Sequence, residues 1–299
     1  MKNVYVINDR TEYNITYRSG LLDVLVSFGY SPVTVGAFES ITVFVSVIVK
    51  LLSSGRKNRL FVSSNLRTNI LVSLFPAWCG LVIVNGLGRY RNKSLFRLFL
   101  LKLIRFNTLK KYVFQNYADF RWARRYSGVD VFWVPGSGGV PREINTHSTD
   151  YTCILRPSKL AVVRTSLSEF TEILPHDSRI NIVGIYTSDL SVQSVDDPRL
   201  VAVGYQDQSK VISFGGTLFV PDGYGEGIPH VMVDALVSGL PVVLSKKAYT
   251  KYGLSKLSIK SKKFHSEWVI IGSCPDVSRE TLGVEVISER YFSLLSAVS

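Results

Sequence analysis

The sequence holds only three cysteines among 299 residues, and none forms a CxxC pair. Cys79, Cys153 and Cys274 are widely spaced and odd in number. That pattern excludes a disulfide framework and suits a reducing compartment, with each thiol read as a small buried hydrophobe. Histidine is also scarce: His147, His176, His230 and His265 lack metal-ligand spacing. No apolar run approaches the ~20 residues of a bilayer span. The most apolar stretch, Ile41 to Leu52, covers 12 residues. The opening MKNVYVINDR turns polar too soon for a signal peptide, so a cytoplasmic protein, soluble or membrane-peripheral, is expected. Acids are outnumbered, 23 against 35 Lys and Arg, for a net charge of +12 and a pI near 9.6. Such a field attracts polyanions: nucleic acid, an anionic membrane face or a phosphate-bearing substrate.

What is present is a packed α/β chain. Hydrophobic residues make up 46% and charged residues 19%, which argues against disorder. Short Val- and Ile-rich runs alternate with helical patterns. A strand at Asn3–Ile7 precedes a helix over Tyr17–Phe28, and SPVTVG precedes the helix Ile41–Leu52. RLFVSS is followed by a helix in TNILVSLFPAW, then by the strands GLVIVNG, KYVFQN and DVFWVPG. A second cycle opens at YTCILR, with a helix in SLSEFTEIL and strands in RINIVGIY, RLVAVG, TLFVPD and PVVLS. Alternation of this kind predicts parallel sheets covered on both faces. The polar stretch Pro141–Asp150 is the linker, which gives two Rossmann-like domains, 1–145 and 146–299, with a cleft between them. Ligands are expected at strand C-terminal ends.

The densest motif is GYGEGIPHVMVDALVSGLPVV, Gly223 to Val243. Pro229 suits the first helical position and Gly239 the helix end. The free N–H groups of the first turn face a glycine loop, an arrangement that binds phosphate. Glu226 precedes the helix and Asp234 lies within it. The pair can grip vicinal hydroxyls across a cleft. Alternatively, Glu226 complements the positive helix end and Asp234 is an exposed surface acid.

This motif resembles the signature of glycosyltransferase family 4, retaining enzymes of GT-B architecture. Glu226, Gly227, Pro229, Gly239, Pro241 and Val242 match as they stand, while Asp234 stands where the family usually has Glu and Gly225 departs from its common loop. VNGLGRYRNK…FQN, VPGSGG and YRSGLLDVLVSFGYSPVTV are similar to segments of members acting on undecaprenyl-linked saccharides. The likeness fades within SKKAYTKYGLSKLSIKSKKF. By position, the resemblance implies that Glu226 contacts the donor sugar and Asp234 the nucleotide ribose. Gly225, Gly227, Ile228 and Pro229 then line the donor, and Arg156 and Lys159 meet its diphosphate, with Arg164 as a substitute for either. Asn85 and Gly86 end a strand where many members carry His-Gly, so no general base is evident. Asn65 and Arg67, at another strand end, are placed on the acceptor side. Asp196 and Asp197 precede Pro198 and read as a turn, so no metal is expected.

The positive charge concentrates in residues 89–111, where Arg89, Arg91, Lys93, Arg97, Lys102, Arg105, Lys110 and Lys111 alternate with Leu, Phe and Ile. That segment reads as an interfacial helix on an anionic membrane, or as a core helix with a solvated basic face. No nucleic-acid-binding signature accompanies it. The expected activity is retaining, metal-independent transfer of a sugar from a nucleotide-diphosphate sugar to a lipid-linked saccharide or polysaccharide at the inner face of the plasma membrane, with no cofactor. The alternatives are a nucleotide-sugar epimerase and a silent binding subunit that needs a partner transferase.

Overall fold

The computed structural model describes residues 2–298 except 54–59, 145–147, 193–196, 208–209, 215 and 224–226. The chain divides into two compact units. The first comprises Met1–Gly138, Gly225–Ile228 and Val284–Ser299, and the second Gly139–Tyr224 and Pro229–Gly283.

In the first unit the order is β1 (Lys2–Asn8), α1 (Thr11–Ser27), β2 (Tyr30–Gly36), α2 (Ile41–Ser53), β3 (Leu60–Ser64) and α3 (Leu66–Ser73). These are followed by β4 (Cys79–Val84), α4 (Ser94–Phe106), β5 (Lys110–Phe114), α5 (Tyr117–Tyr126) and β6 (Val131–Trp133). The six strands form a parallel sheet in the order β2-β1-β3-β4-β5-β6. Alternate strand residues face opposite sides. Phe61, Val82 and Phe114 pack beneath α2 to α5, whereas Val4, Val62, Ile83 and Val113 pack against Leu21 and Leu25 of α1. The chain runs outward from β1 to β2 and then crosses to the far side of β1 for β3. The topological switch point of this sheet therefore lies between β1 and β3.

In the second unit the order is β7 (Tyr151–Ile154), α6 (Pro157–Ile173), β8 (Ile180–Val183), α7 (Thr187–Val192), β9 (Leu200–Gly204) and β10 (Thr217–Val220). It continues with α8 (His230–Ser238), β11 (Val242–Ser245), α9 (Lys246–Tyr252), β12 (Lys262–Lys263), β13 (Trp268–Ile271) and α10 (Pro275–Leu282). The sheet order is β12-β13-β11-β10-β7-β8-β9, with β13 antiparallel to both β11 and β12 and the other described pairs parallel. Phe170 of α6 stacks face to face on Phe219 at 3.8 Å, and Trp268 leans on both rings. Here the switch point lies between β7 and β10.

The final helix, α11 (Val284–Ser296), groups with the first unit. A boundary near residue 145 assigns it to the second half. Instead Ile287, Tyr291 and Leu295 are fully buried with Val4, Val6 and Ile83. Helix α1 begins at Thr11 rather than Tyr17, because its first turns are held by buried polar side chains, Asn14 and Arg18, in place of apolar ones. Helix α3 stops at Ser73, short of Pro76, which disfavours helical geometry in the residue before it. Helix α6 starts at Pro157, in the first helical turn, well ahead of the apolar pattern in SLSEFTEIL.

Ile287→Ala should cost about 2–5 kcal/mol, the usual range for truncating a buried aliphatic side chain. Amide exchange should speed up in β1, β3 and β4 and stay unchanged in β7, β8 and β10. Faster exchange in the second sheet would show that α11 supports the wrong unit.

Candidate functional site

Each switch point carries a distinct polar constellation. At the first, the strand ends present amides. Asn8, the last residue of β1, donates to Asn14 Oδ1 at 3.1 Å, and Asn14 in turn donates to Val6 O at 2.8 Å. Asn65, just past β3, donates to Asn8 Oδ1 at 2.6 Å. Asn85, just past β4, donates to Asn65 Oδ1 at 2.9 Å. The result is one directional chain of side-chain amides across three strand ends. Asn65 has φ 70°, a left-handed value for a residue with a side chain, and such a conformation costs of order 1–3 kcal/mol. Hydrogen bonds on both sides hold it there. Beside the chain, Thr68 Oγ1 donates to Asp9 Oδ1 at 2.7 Å. The sequence-selected Asn65 and Asn85 are thus in direct contact, and Gly86 follows at the same strand end. Arg67 is exposed on α3 and takes no part in the chain.

Sequence reasoning missed Arg18, which begins this chain. Its Nη2 donates to Asn85 Oδ1 at 3.1 Å, its Nε to Ser64 Oγ at 3.0 Å and its Nη1 to Ser137 Oγ at 2.7 Å. Its guanidinium lies 5.6 Å from the Tyr291 ring centre. Burial pushes the guanidinium pKa down. Gln115 completes the cluster, donating to Gly136 O at 2.7 Å and to the Tyr291 hydroxyl at 3.0 Å. A signal was available: Asn14, Arg18, Leu21 and Leu25 form the inward stripe of α1, so a cation occupies a core position.

At the second switch point, Arg156 sits at the N-cap of α6 after β7, and the Lys159 backbone N–H bonds to the Arg156 carbonyl at 2.8 Å. Arg156 and Arg164 are exposed and Lys159 is half-buried. After β10, Asp222 joins three elements. Its N–H bonds to Ser166 Oγ at 2.9 Å, and its Oδ1 accepts from Ser245 Oγ at 2.7 Å. Ser245 also caps α9 through Ala248 N. Gly225 and Glu226 lie outside the described residues. At Gly227 a Cβ would meet the Asn85 carbonyl oxygen at 2.2 Å, so only glycine fits there. Ile228 is buried. Pro229 is the N-cap of α8, one position earlier than the motif spacing implies, and Gly239 ends the helix at φ 87° as expected.

The reading of Asp234 as an exposed surface acid is overturned, since it is 3% exposed. Its Oδ1 accepts the Val140 N–H at 2.9 Å and lies 3.9 Å from His230 Nδ1, and its Oδ2 lies 3.8 Å from Arg142 Nε. Ser238 Oγ donates to the Asp234 carbonyl and accepts the Arg142 N–H at 2.8 Å. Segment 140–142 is thereby fastened along α8. Burial pushes the Asp234 carboxyl up to about 6, against the opposing pull of the Val140 N–H and Arg142.

Residues 89–111 do not form one basic helix. Lys110 belongs to β5 and is interior, its ammonium donating to Phe75 O at 2.9 Å and Asn107 Oδ1 at 2.7 Å. Burial lowers its pKa to about 8. Arg97 lies over Trp122 at 4.7 Å, Arg91 is 3.5 Å from Asp119, and Arg105 bonds to the carbonyls of Tyr126 and Ser127. Lys93, Lys102 and Arg105 are exposed. Between them α4 bares an apolar stripe of Leu95, Leu98, Phe99 and Phe106, with Leu95 82% exposed. Helix α2, on the same side of the sheet, bares Ile41, Val45, Val49 and Leu52. Among the described residues no helix is long and apolar enough to cross a membrane.

A buried carboxyl that titrates near 6 instead of near 4 destabilises the native state once it ionises. Between about pH 4 and 6 the native state holds a proton that the unfolded chain has lost. The stability this gives is complete below about pH 4 and disappears as pH rises through about 6. Asp234→Asn keeps an acceptor for Val140 N–H and removes the titration. Its stability relative to the wild type should therefore rise between pH 4 and 7, by up to about 3 kcal/mol. Urea unfolding across that range would measure it, and a flat difference would mean that the carboxylate is already compensated.

No family model matches the sequence, and no curated protein matches it. Solved structures do. Anabaena Alr3699/HepE, solved in complex with UDP and glucose, superposes with a TM-score of 0.64 at 10% identity, covering 99% of this chain and 100% of that one. A candidate UDP-N-acetylglucosamine 2-epimerase from Listeria monocytogenes gives a TM-score of 0.56 at 10% identity, covering 97% and 94%. A glycosyltransferase from Rickettsia africae gives 0.53 at 8% identity, covering 99% and 98%. At such identities the likeness is one of fold, and together with two parallel-dominated sheets it shows the GT-B fold with two Rossmann-like units.

Proposed function

We propose that the chain is a glycosyltransferase that moves a sugar, with retention and without a metal, from a nucleotide-diphosphate sugar to a lipid-linked saccharide. The observation that carries this reading is the chemical asymmetry of the two switch points. The second unit offers Arg156, Lys159 and the start of α6 for a diphosphate. The sequence motif supplies Glu226 for a sugar hydroxyl, and Asp234, buried against Val140 and Arg142, braces α8 behind it. Cations at the diphosphate stabilise the charge that builds on the leaving nucleotide. The first unit offers the Asn8, Asn65 and Asn85 amides, each able to donate and accept toward saccharide hydroxyls. An Anabaena protein of similar fold holds UDP and glucose, which supports a nucleotide-sugar ligand here. A second reading, nucleotide-sugar epimerase, is favoured by the fold likeness to the Listeria protein.

Glu226→Gln should lower sugar transfer by about 10²–10³-fold, the usual loss when one transition-state stabilising group is removed, with an unchanged urea midpoint. Full activity in this variant would rule out the role given to Glu226. Conversion of a nucleotide sugar to its epimer in the absence of any acceptor would decide for the second reading.

Docking on an anionic leaflet would bring the first unit to such an acceptor. Its means are the apolar stripes of α2 and α4 flanked by Lys93, Lys102 and Arg105. Each such cation contributes about 1 kcal/mol near an anionic surface and is screened by salt. Combined Leu98→Ser, Phe99→Ser and Lys102→Glu substitutions should abolish sedimentation with phosphatidylserine vesicles. Undiminished sedimentation would mean that this face is not the anchor.

A further inference from the structure

The guanidinium of Arg18 is buried, and its described partners are all uncharged: two serine hydroxyls, one amide oxygen and the face of a phenol ring. Among the described residues no carboxylate lies within 4 Å of it. A buried cation is strongly disfavoured unless well-placed acceptors or an anion gain from its field. Its partners show where that field leads. Ser137 Oγ accepts from Arg18 Nη1 at 2.7 Å. The guanidinium N–H meets its lone-pair side, so the hydroxyl proton points away from the guanidinium. Ser137 is itself only part-buried, at the C-terminal edge of the sheet beyond β6. A hydroxyl that accepts from a cation is polarised to donate to an anion. Asn85 is oriented alike, with its oxygen turned to Arg18 and its NH₂ turned away toward Asn65.

We propose that Ser137, charged from beneath by Arg18 and flanked by Asn85, forms an anion site on the first unit that takes a phosphate or diphosphate ester. This rests on the reading of the first unit as the acceptor-binding half and supplies the headgroup chemistry of that acceptor. The same feature explains why the position carries serine. An aspartate there would neutralise Arg18 and close the site.

The test is binding of inorganic pyrophosphate, farnesyl diphosphate in detergent and UDP to the full chain by calorimetry, with Ser137→Ala, Ser137→Asp and Arg156→Ala variants. Ser137→Ala should weaken pyrophosphate and farnesyl diphosphate by about 10-fold, the loss of one charge-assisted hydrogen bond, and leave UDP unchanged. Equal weakening of UDP would support the site and assign it to the nucleotide diphosphate. Ser137→Asp should abolish pyrophosphate binding while raising the thermal midpoint, a split that a purely structural serine would not produce. No pyrophosphate affinity in the wild type, wild-type affinity in both Ser137 variants, or a loss confined to Arg156→Ala would each overturn the site. None of these measurements needs a sugar to move, so absence of transferase activity leaves them standing.

Discussion

A positive charge held in the interior by neutral oxygens governs the first unit. Arg18 of α1 binds the end of β3 through Ser64, the residue after β4 through Asn85 and the turn after β6 through Ser137, and it rests against Tyr291 of α11. Five separate chain segments thus meet at one planar group. Its fork geometry makes this possible, because five N–H donors in fixed directions order several acceptors at once. The amide chain from Asn85 through Asn65 to Asn8 continues that order across the sheet edge. The left-handed Asn65 persists because both its neighbours in that chain are fixed.

The second unit solves the same problem with the opposite sign. Asp222 and Asp234 are the organising groups, and each is satisfied mainly by hydroxyl and backbone donors. Asp222 ties the ends of β10 and β11 to α6, and Asp234 fastens segment 140–142 to α8. Both acids belong to the loop-and-helix motif after β10, so the candidate donor elements sit on a braced frame.

Alternating short apolar runs made the two parallel sheets legible in sequence, because strands buried on both faces cannot disguise their composition. The motif after β10 was legible too, since proline, glycine and acid each have a narrow structural use at their positions. What was not legible depended on polar groups placed inside. Arg18 and Asn14 look like surface residues in composition, yet they form the inward stripe of α1. Lys110 looks like part of a basic helix, yet it closes a carbonyl cluster beneath β5. The membership of α11 also could not be read, because a helix's apolar face does not specify which sheet it will meet.

The discontinuity of the first unit has a consequence for biosynthesis. Its sheet strands are all made before the second unit begins, but Ile287, Tyr291 and Leu295 come after it. During translation one face of β1, β3 and β4 therefore waits at the ribosome covered by α1 but not by α11 while more than a hundred further residues emerge. Domains ordinarily fold from the N-terminus as they are synthesised. Here the first to start is the last to be completed, and the exposed apolar face is the interval in which a nascent chain is most prone to capture by chaperones or by other nascent chains.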